Sequence, residues 1–194
     1  MKAKQKYFSI LNVIILSMVM FSTVKAQSST DTKESARIFV QKFYDWYAIM
    51  DADDGFAKKH NASPFSYTVS KRGSYFETLL RKELVNYFRV PTNDDDIGLD
   101  FDPISAAQDT RSGFQTGNVK QVGNKFQVDI HDIKSGRQRK EVLAAELALI
   151  AEVTNVNGRW EFSNFIYPSP DGKSDLMSIL KKLNHDRKKN PAKK

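Results

Sequence analysis

The chain has 194 residues, a formal net charge of +7 and no cysteine. The lack of cysteine excludes disulfides, thiol nucleophiles and thiolate metal sites. It also excludes a lipid anchor of the bacterial lipoprotein type, which needs a cysteine at the new N-terminus.

The first 26 residues are typical of a cleaved secretory signal peptide. Three lysines precede an apolar run at residues 7–24, and Val24-Lys25-Ala26 supplies the small residues that a signal peptidase requires. The alternative is an uncleaved membrane anchor, because the run is about as long as the shortest spanning helices. Ser9, Asn12, Ser17 and Ser22 interrupt the run, so we expect cleavage before Gln27 and a periplasmic or secreted protein with no transmembrane segment.

The positive charge is concentrated at the two ends of the chain. Residues 1–26 carry +4, and residues 181–194 carry seven Lys or Arg against Asp186, so the remainder carries −3. We therefore expect no nucleic-acid binding by the fold. The sequence predicts a signal peptide at 1–26, a single domain at 27–183 and a basic, disordered tail at 184–194. The tail is either solvated or in weak contact with an anionic surface.

Helical periodicity predicts two helices ahead of any strand. The first begins near Asp31, with Glu34 placed as in a capping box, and the second runs from about Ser74 to Phe88. The first helix carries an apolar stripe that places it on a core: Ala36, Phe39, Val40, Phe43, Tyr47 and Met50. Residues 51–73 are predicted to form a long connection with one short element near residues 65–69.

After Gln115 the apolar residues alternate with polar ones, as in half-buried strands. Turns are predicted at Gly123-Asn124 and at residues 155–158, whereas residues 141–145 fit either a helix or a strand. A last helix is predicted from about Ser174 to Leu183. The predicted fold class is α+β, with N-terminal helices packed on a curved antiparallel sheet of three to four strands and a closing C-terminal helix.

Three segments resemble the bacterial domain of unknown function 3828. They are FDPISAAQD at 101–109, NGRWEF at 157–162 followed by FIYP at 165–168, and DLMSIL at 175–180. That family is similar to the cone-shaped fold of nuclear transport factor two and of the ketosteroid isomerases. The resemblance covers about residues 31–182 and implies a pocket between sheet and helices. It implies no enzymatic motif, and fold alone does not imply function.

Two interpretations of residues 101–109 remain open. Asp109, beside Gln108, can enter the mouth of the cone as a general base or ligand acceptor, with Tyr44 or Tyr47 as the proton donor. Such a pair predicts an enzyme of the isomerase or dehydratase kind. In the structural alternative, Asp102 caps the turn that follows it, while Gln108 and Asp109 bond to the loop backbone.

The sequence predicts no metal site and no cofactor. His60, His131 and His185 lack metal-ligand spacing, and the acidic clusters at residues 51–54 and 94–96 do not match a calcium loop. His131 lies on the polar side of its strand, where a solvated role or a binding role on the open sheet face is expected.

The leading functional expectation is a non-enzymatic, exported binding or interaction module. It uses the cone pocket or the open sheet face for a small molecule or an envelope protein, and an immunity-type inhibitor of a toxin is one variant. A homodimer through the sheet is a further expectation. The predicted binding residues are Asp102, Gln108, Asp109, Tyr47 and His131.

Overall fold

The computed structural model describes residues 28–90, 98–109, 111, 113–133, 147–169 and 172–189. The predicted signal peptide, the acidic residues 94–96 and the ambiguous segment 141–145 lie outside the described residues. Within the described ranges, no helix has both the length and the apolar character needed to cross a membrane.

The described chain begins with helices, continues as strands and ends with a helix. The helices are α1 (Ser28–Asp51), α2 (Phe56–His60), α3 (Pro64–Lys71) and α4 (Thr78–Arg89), with a 3-10 turn at Gly73–Tyr75. The strands are β1 (Phe114–Val122), β2 (Lys125–Asp132), β3 (Leu147–Val156), β4 (Arg159–Ser169) and β5 (Gly172–Asp175). The final helix is α5 (Leu176–Lys189).

The described strands form one open antiparallel sheet, in which the spatial order β1-β2-β3-β4-β5 follows the chain order. Asn157 and Gly158 connect β3 to β4 with φ of 52° and 83°. Two positive φ values suit a tight two-residue hairpin turn, so this predicted turn is confirmed. The described sheet has five strands, whereas the sequence predicts three to four. The prediction missed β5, because a strand of only four residues is too short to show alternation.

Alternation along the strands places one set of side chains on the helix-covered face of the sheet. This set includes Phe126, Val128, Ile130, Leu149, Ala151, Val153 and Phe165, all of them buried. Helix α1 packs on this face, where the rings of Phe43 and Phe162 lie 4.6 Å apart between centroids. The predicted α+β arrangement of N-terminal helices on an antiparallel sheet, closed by a C-terminal helix, is confirmed.

The connection at residues 51–73 contains more structure than the sequence predicts, because α2 and α3 both lie there. The second predicted helix is shorter than expected, since α4 begins at Thr78 and not near Ser74. Between the 3-10 turn and α4 the chain is extended at Phe76, and the Glu77 amide donates to the Phe162 carbonyl at 2.9 Å. Contact with the edge of β4 therefore replaces the predicted capping box.

The last helix ends at Lys189 instead of Leu183, so residues 184–189 of the predicted tail are helical. Asn184 Nδ2 donates to the backbone oxygen of Glu83 at 3.0 Å and to its Oε2 at 2.7 Å. Arg187 Nη1 donates to the Tyr87 carbonyl at 2.8 Å. Asn184 and Arg187 are both buried against α4 although they are polar. An apolar pattern cannot reveal contacts of this kind.

Candidate functional site

The loop at residues 101–107 is closed by its own Asp102. Asp102 Oδ1 accepts hydrogen bonds from the backbone amides of Ile104 at 2.8 Å and Ser105 at 3.1 Å. The Asp102 amide donates to the Ala107 carbonyl at 2.8 Å. The carboxylate thus caps the turn at Pro103, as the structural interpretation of this segment predicts.

Three tyrosine hydroxyls hold this loop against the rest of the molecule. Tyr44 donates to the Ile104 carbonyl at 2.8 Å, and Tyr167 donates to the Pro103 carbonyl at 2.8 Å. Tyr47 donates to Asp102 Oδ2. Tyr44 and Tyr47 lie three residues apart on one face of α1, whereas Tyr167 comes from β4. We call Tyr44, Tyr47, Asp102 and Tyr167 the tyrosine cluster.

Burial dominates the electrostatics of the tyrosine cluster. It raises the pKa of Tyr44, Tyr47 and Tyr167 well above the ordinary value, and the Asp102 charge adds to the effect. Burial also raises the pKa of Asp102, although hydrogen bonds from Tyr47 and from the amides of Ser105 and Ile104 oppose the rise. The phenols are therefore neutral donors over the physiological range.

The surroundings of the tyrosine cluster are packed with apolar side chains. The Tyr44 ring lies 4.9 Å from that of Phe114, and the Phe43 ring lies 6.1 Å from that of Tyr47. Ile104 is fully buried, and none of the cluster residues lines either groove described below. The cluster's hydroxyls and carboxylate bind the protein's own loop, so the arrangement favours a structural role.

The other predicted binding residues do not join the tyrosine cluster. Gln108 and Asp109 are exposed beyond the end of the loop. Among the described residues, no hydrogen bond joins Asp109 to Tyr44 or to Tyr47, which donates to Asp102 instead. His131 is half-buried on β2 opposite Gln115, on the sheet face away from Ile130 and the core.

A second polar cluster ties the end of α1 to the end of β2. The Arg111 amide donates to Asp51 Oδ2 at 2.8 Å, and Arg111 Nη1 lies 2.6 Å from Asp132 Oδ2. Burial raises the pKa of Asp51, and the bond and charge of Arg111 only partly oppose this. Among the described residues, no group of three or more histidines and carboxylates converges as a metal site.

A basic groove of about 660 Å³ lies between the 3-10 turn and α4 on one side and the start of β4 on the other. Four cationic side chains and one carboxylate line it: Arg81, Lys82, Arg89, Arg159 and Glu161. Arg159 Nη2 lies 3.5 Å from Glu161 Oε1. The other three cations have no ion-pair partner within the described ranges. The groove also presents Ser74, Thr78 and Asn86 as neutral polar groups.

An apolar groove of about 530 Å³ lies on the other side of α4, against α3. Its apolar lining consists of Ala62, Val69, Val85 and Phe88. Arg81, Val85 and Arg89 line both grooves, so the two grooves are adjacent and lie on either side of this stripe of α4. Phe88 is 43% exposed and adds apolar surface to this groove.

The sequence gives a weak signal for these grooves. The cations come from a helix and from a strand far away in the chain, and Arg81 and Arg89 resemble ordinary solvated residues of a helix face. A Cβ at Gly73 would lie 2.9 Å from Arg81 Nε, so the absence of a side chain at Gly73 leaves room for the guanidinium. Only the fold brings these groups together.

Comparison with known proteins gives no relative for this chain. No family model, no curated protein and no solved structure matches it. The resemblance to the bacterial domain of unknown function 3828 therefore stays a prediction.

Proposed function

We propose that the protein is an exported, non-enzymatic binding module of the cone-shaped type, which takes an anionic ligand or the acidic surface of an envelope protein in the basic groove. The single observation that carries the proposal is the convergence of Arg81, Lys82, Arg89 and Arg159 on one groove that contains one carboxylate.

The charge of the groove contrasts with the charge of the domain around it. Outside residues 1–26 and 181–194 the chain carries a net charge of −3, so a local excess of cations is not a general property of the surface. Like charges held close together repel each other, and a bound anion relieves that repulsion. Guanidinium groups also bind carboxylate and phosphate with two parallel hydrogen bonds, which gives the groove a preference for such ligands.

We place the ligand in this groove and not in the interior pocket that the family resemblance implies. The choice is supported by the tyrosine cluster, whose hydroxyls and carboxylate already bond to protein atoms of the loop at residues 101–107 and of α1. An immunity-type inhibitor would use the same basic surface toward an acidic partner. A homodimer through the sheet and a tail contact with anionic surfaces remain predictions.

Titration of the mature protein with defined anions tests the proposal. NMR spectra recorded with inorganic phosphate and with hexaglutamate are expected to show shifts at the amides of Arg81, Lys82 and Arg159. The double variant Lys82→Glu/Arg159→Glu is expected to abolish these shifts, because it reverses two charges on exposed side chains. Lys120→Glu is the matched control, since Lys120 is exposed on β1 and outside the groove.

Three results would overturn the proposal. They are the absence of any shift with both anions, equal shifts over the whole surface, or an equal loss in the double variant and the control. Mass spectrometry of the protein isolated from the periplasm tests the export part separately, with Gln27 as the expected first residue.

A further inference from the structure

We propose that the ligand of the basic groove is a single-chain anionic amphiphile, whose headgroup lies among the groove's cations and whose alkyl chain lies in the apolar groove. The inference rests on the proposed function, because it assigns the ligand class of the same site. It requires the ligand to have an alkyl chain in addition to a negative charge.

Helix α4 presents a stripe of side chains that lies between the two grooves and lines both of them. Arg81, Val85 and Arg89 are spaced four residues apart, so they lie on one face of the helix, and all three line both grooves. The apolar Val85 thus lies one turn from a guanidinium on each side. A ligand that crosses α4 at Val85 meets cations beside its crossing point and apolar side chains beyond it.

The apolar groove contains apolar side-chain surface that is accessible to solvent. Phe88 is 43% exposed although its ring lies 5.1 Å from that of Phe65. Val69 is buried at the base of the groove, and Val85 is half-buried. An alkyl chain that covers Phe88 and Val85 removes apolar surface from water on both the ligand and the protein, and this gain grows with chain length.

The backbone around the apolar groove favours an alkyl chain over a peptide. The groove is walled by α3 and α4, whose backbone groups bond within their helices. Ser66 and Ser70 both line the groove, and the Ser66 hydroxyl donates to the Ser63 carbonyl at 3.1 Å. A peptide lying there would bury amide groups with few partners, which is costly, whereas an alkyl chain has no polar group to satisfy.

The position of Arg81, one of the two arginines that line both grooves, depends on the absence of a side chain at Gly73. A Cβ at Gly73 would lie 2.9 Å from Arg81 Nε and 3.2 Å from Arg81 Cζ. The missing side chain therefore leaves the space that the guanidinium occupies over the 3-10 turn. Gly73→Ala is expected to displace Arg81 and to weaken headgroup binding while it retains all four cations.

A series of soluble amphiphiles tests the inference on the mature protein. The probes are butyrate, hexanoate, octanoate and decanoate, with decyltrimethylammonium and decanol as tail-matched controls of other charge. Calorimetry is expected to show affinity rising about fourfold per added methylene from hexanoate to decanoate. The cationic and neutral controls are expected to bind at least about tenfold more weakly than decanoate.

Variants assign the two parts of the ligand to the two grooves. Val85→Ser is expected to flatten the dependence on chain length, whereas Arg159→Glu is expected to weaken every carboxylate by a similar factor. Leu79→Ser is the control, because Leu79 is 63% exposed on α4 and lines neither groove. Thermal melts of all variants confirm that each protein is folded before binding is measured.

The outcomes separate this inference from the proposed function. Equal affinity for butyrate and decanoate would overturn the amphiphile while leaving an anion-binding groove. Tight binding of hexaglutamate without binding of decanoate would also overturn it and would favour an acidic peptide. Failure of phosphate, hexaglutamate and decanoate alike would overturn both. Equal affinity for decyltrimethylammonium and decanoate would also overturn the inference, because the cations of the groove would then contribute nothing to binding.

Discussion

The hydroxyl of Tyr47 donates a hydrogen bond to the carboxylate of Asp102 from 55 residues away in the sequence. The other oxygen of the same carboxylate caps Ile104 and Ser105. One side chain therefore shapes the turn and fastens it to α1. This double use explains why Asp102 remains in a half-buried position that disfavours its charge.

Removing the hydroxyl in Tyr47→Phe is expected to lower the free energy of unfolding by about 1–3 kcal/mol, because the half-buried Asp102 carboxylate loses a donor. The pKa of Asp102 is expected to rise further, since the Tyr47 hydrogen bond lowers it. Urea denaturation and a carboxyl NMR titration measure the two effects. Tyr67→Phe is the control, because the Tyr67 hydroxyl has no hydrogen-bond partner within the described ranges. Equal free energies of unfolding and an equal pKa of Asp102 in Tyr47→Phe and Tyr67→Phe would contradict the prediction.

The stability of the protein relative to Asp102→Asn is expected to fall as the pH rises. Burial raises the folded-state pKa of Asp102, so the folded protein binds this proton more tightly than the unfolded chain does. Ionisation therefore costs stability, beginning near the unfolded pKa of about 3.9 and reaching its full extent above the folded pKa. Urea unfolding of both proteins between about pH 3 and pH 7 measures the difference. A difference that does not change with pH would refute this assignment.

Glu152→Gln is expected to show the opposite pH dependence. Burial raises the pKa of Glu152, but hydrogen bonds from Lys125, Ser163 and Gln127 outweigh it and the net pKa is lowered. The carboxylate therefore stabilises the fold above its unfolded pKa of about 4.3, and this stabilisation is lost as the pH falls through the folded pKa. Wild type is expected to exceed the variant by about 1 kcal/mol at neutral pH, and the gap should close on acidification. A gap that widens in acid would contradict the prediction.

Gln41→Ala is expected to loosen the edge of the sheet at β1. Gln41 Oε1 accepts from the Thr116 amide at 2.8 Å, and its Nε2 donates to the Phe114 carbonyl at 3.0 Å, in the manner of a neighbouring strand. The expected cost is about 1–3 kcal/mol, with faster hydrogen exchange at the Thr116 amide. Lys42→Ala is the matched control, because Lys42 is exposed on the same helix. Unchanged exchange at Thr116 would rule out this role for Gln41.

Asn184→Ala is expected to destabilise the protein by about 1–3 kcal/mol, although the residue lies in the segment predicted as a tail. Asn184 is 2% exposed, and its loss leaves the Glu83 backbone oxygen without this donor. His185→Ala serves as the control on the exposed side of α5. Thermal and urea unfolding measure both variants. Equal free energies of unfolding for the two variants would contradict the prediction, because residues beyond Leu183 would then contribute little to stability.

Much of the fold follows from periodicity that the sequence displays directly. The apolar stripe of α1, the alternation at Phe126, Val128 and Ile130, and the turn at Asn157-Gly158 each predict the element found. The limits appear where a few polar contacts decide the structure. The shift of the α4 start depends on the Glu77 amide bond to Phe162, and the length of α5 depends on Asn184 and Arg187.

The candidate site was harder to predict for the same reason. An aspartate before proline predicts a turn from local chemistry alone, and Asp102 forms one. That Tyr47 binds Asp102, while Asp109 remains exposed, depends on how α1 crosses the loop. The basic groove needs Arg81 and Arg159 on one surface, and no local pattern connects these two positions.

The anchoring of residues 102–104 by tyrosines from α1 and β4 also bears on the order of folding. Neighbouring strands of the sheet are neighbours in the chain, so the hairpins can pair early with little entropic cost of loop closure. The three tyrosine bonds instead span 55, 60 and 64 residues. We therefore expect them to form late, with the helix and the loop locking onto a sheet that already exists. Replacing each of these tyrosines by phenylalanine should then increase the unfolding rate far more than it decreases the refolding rate.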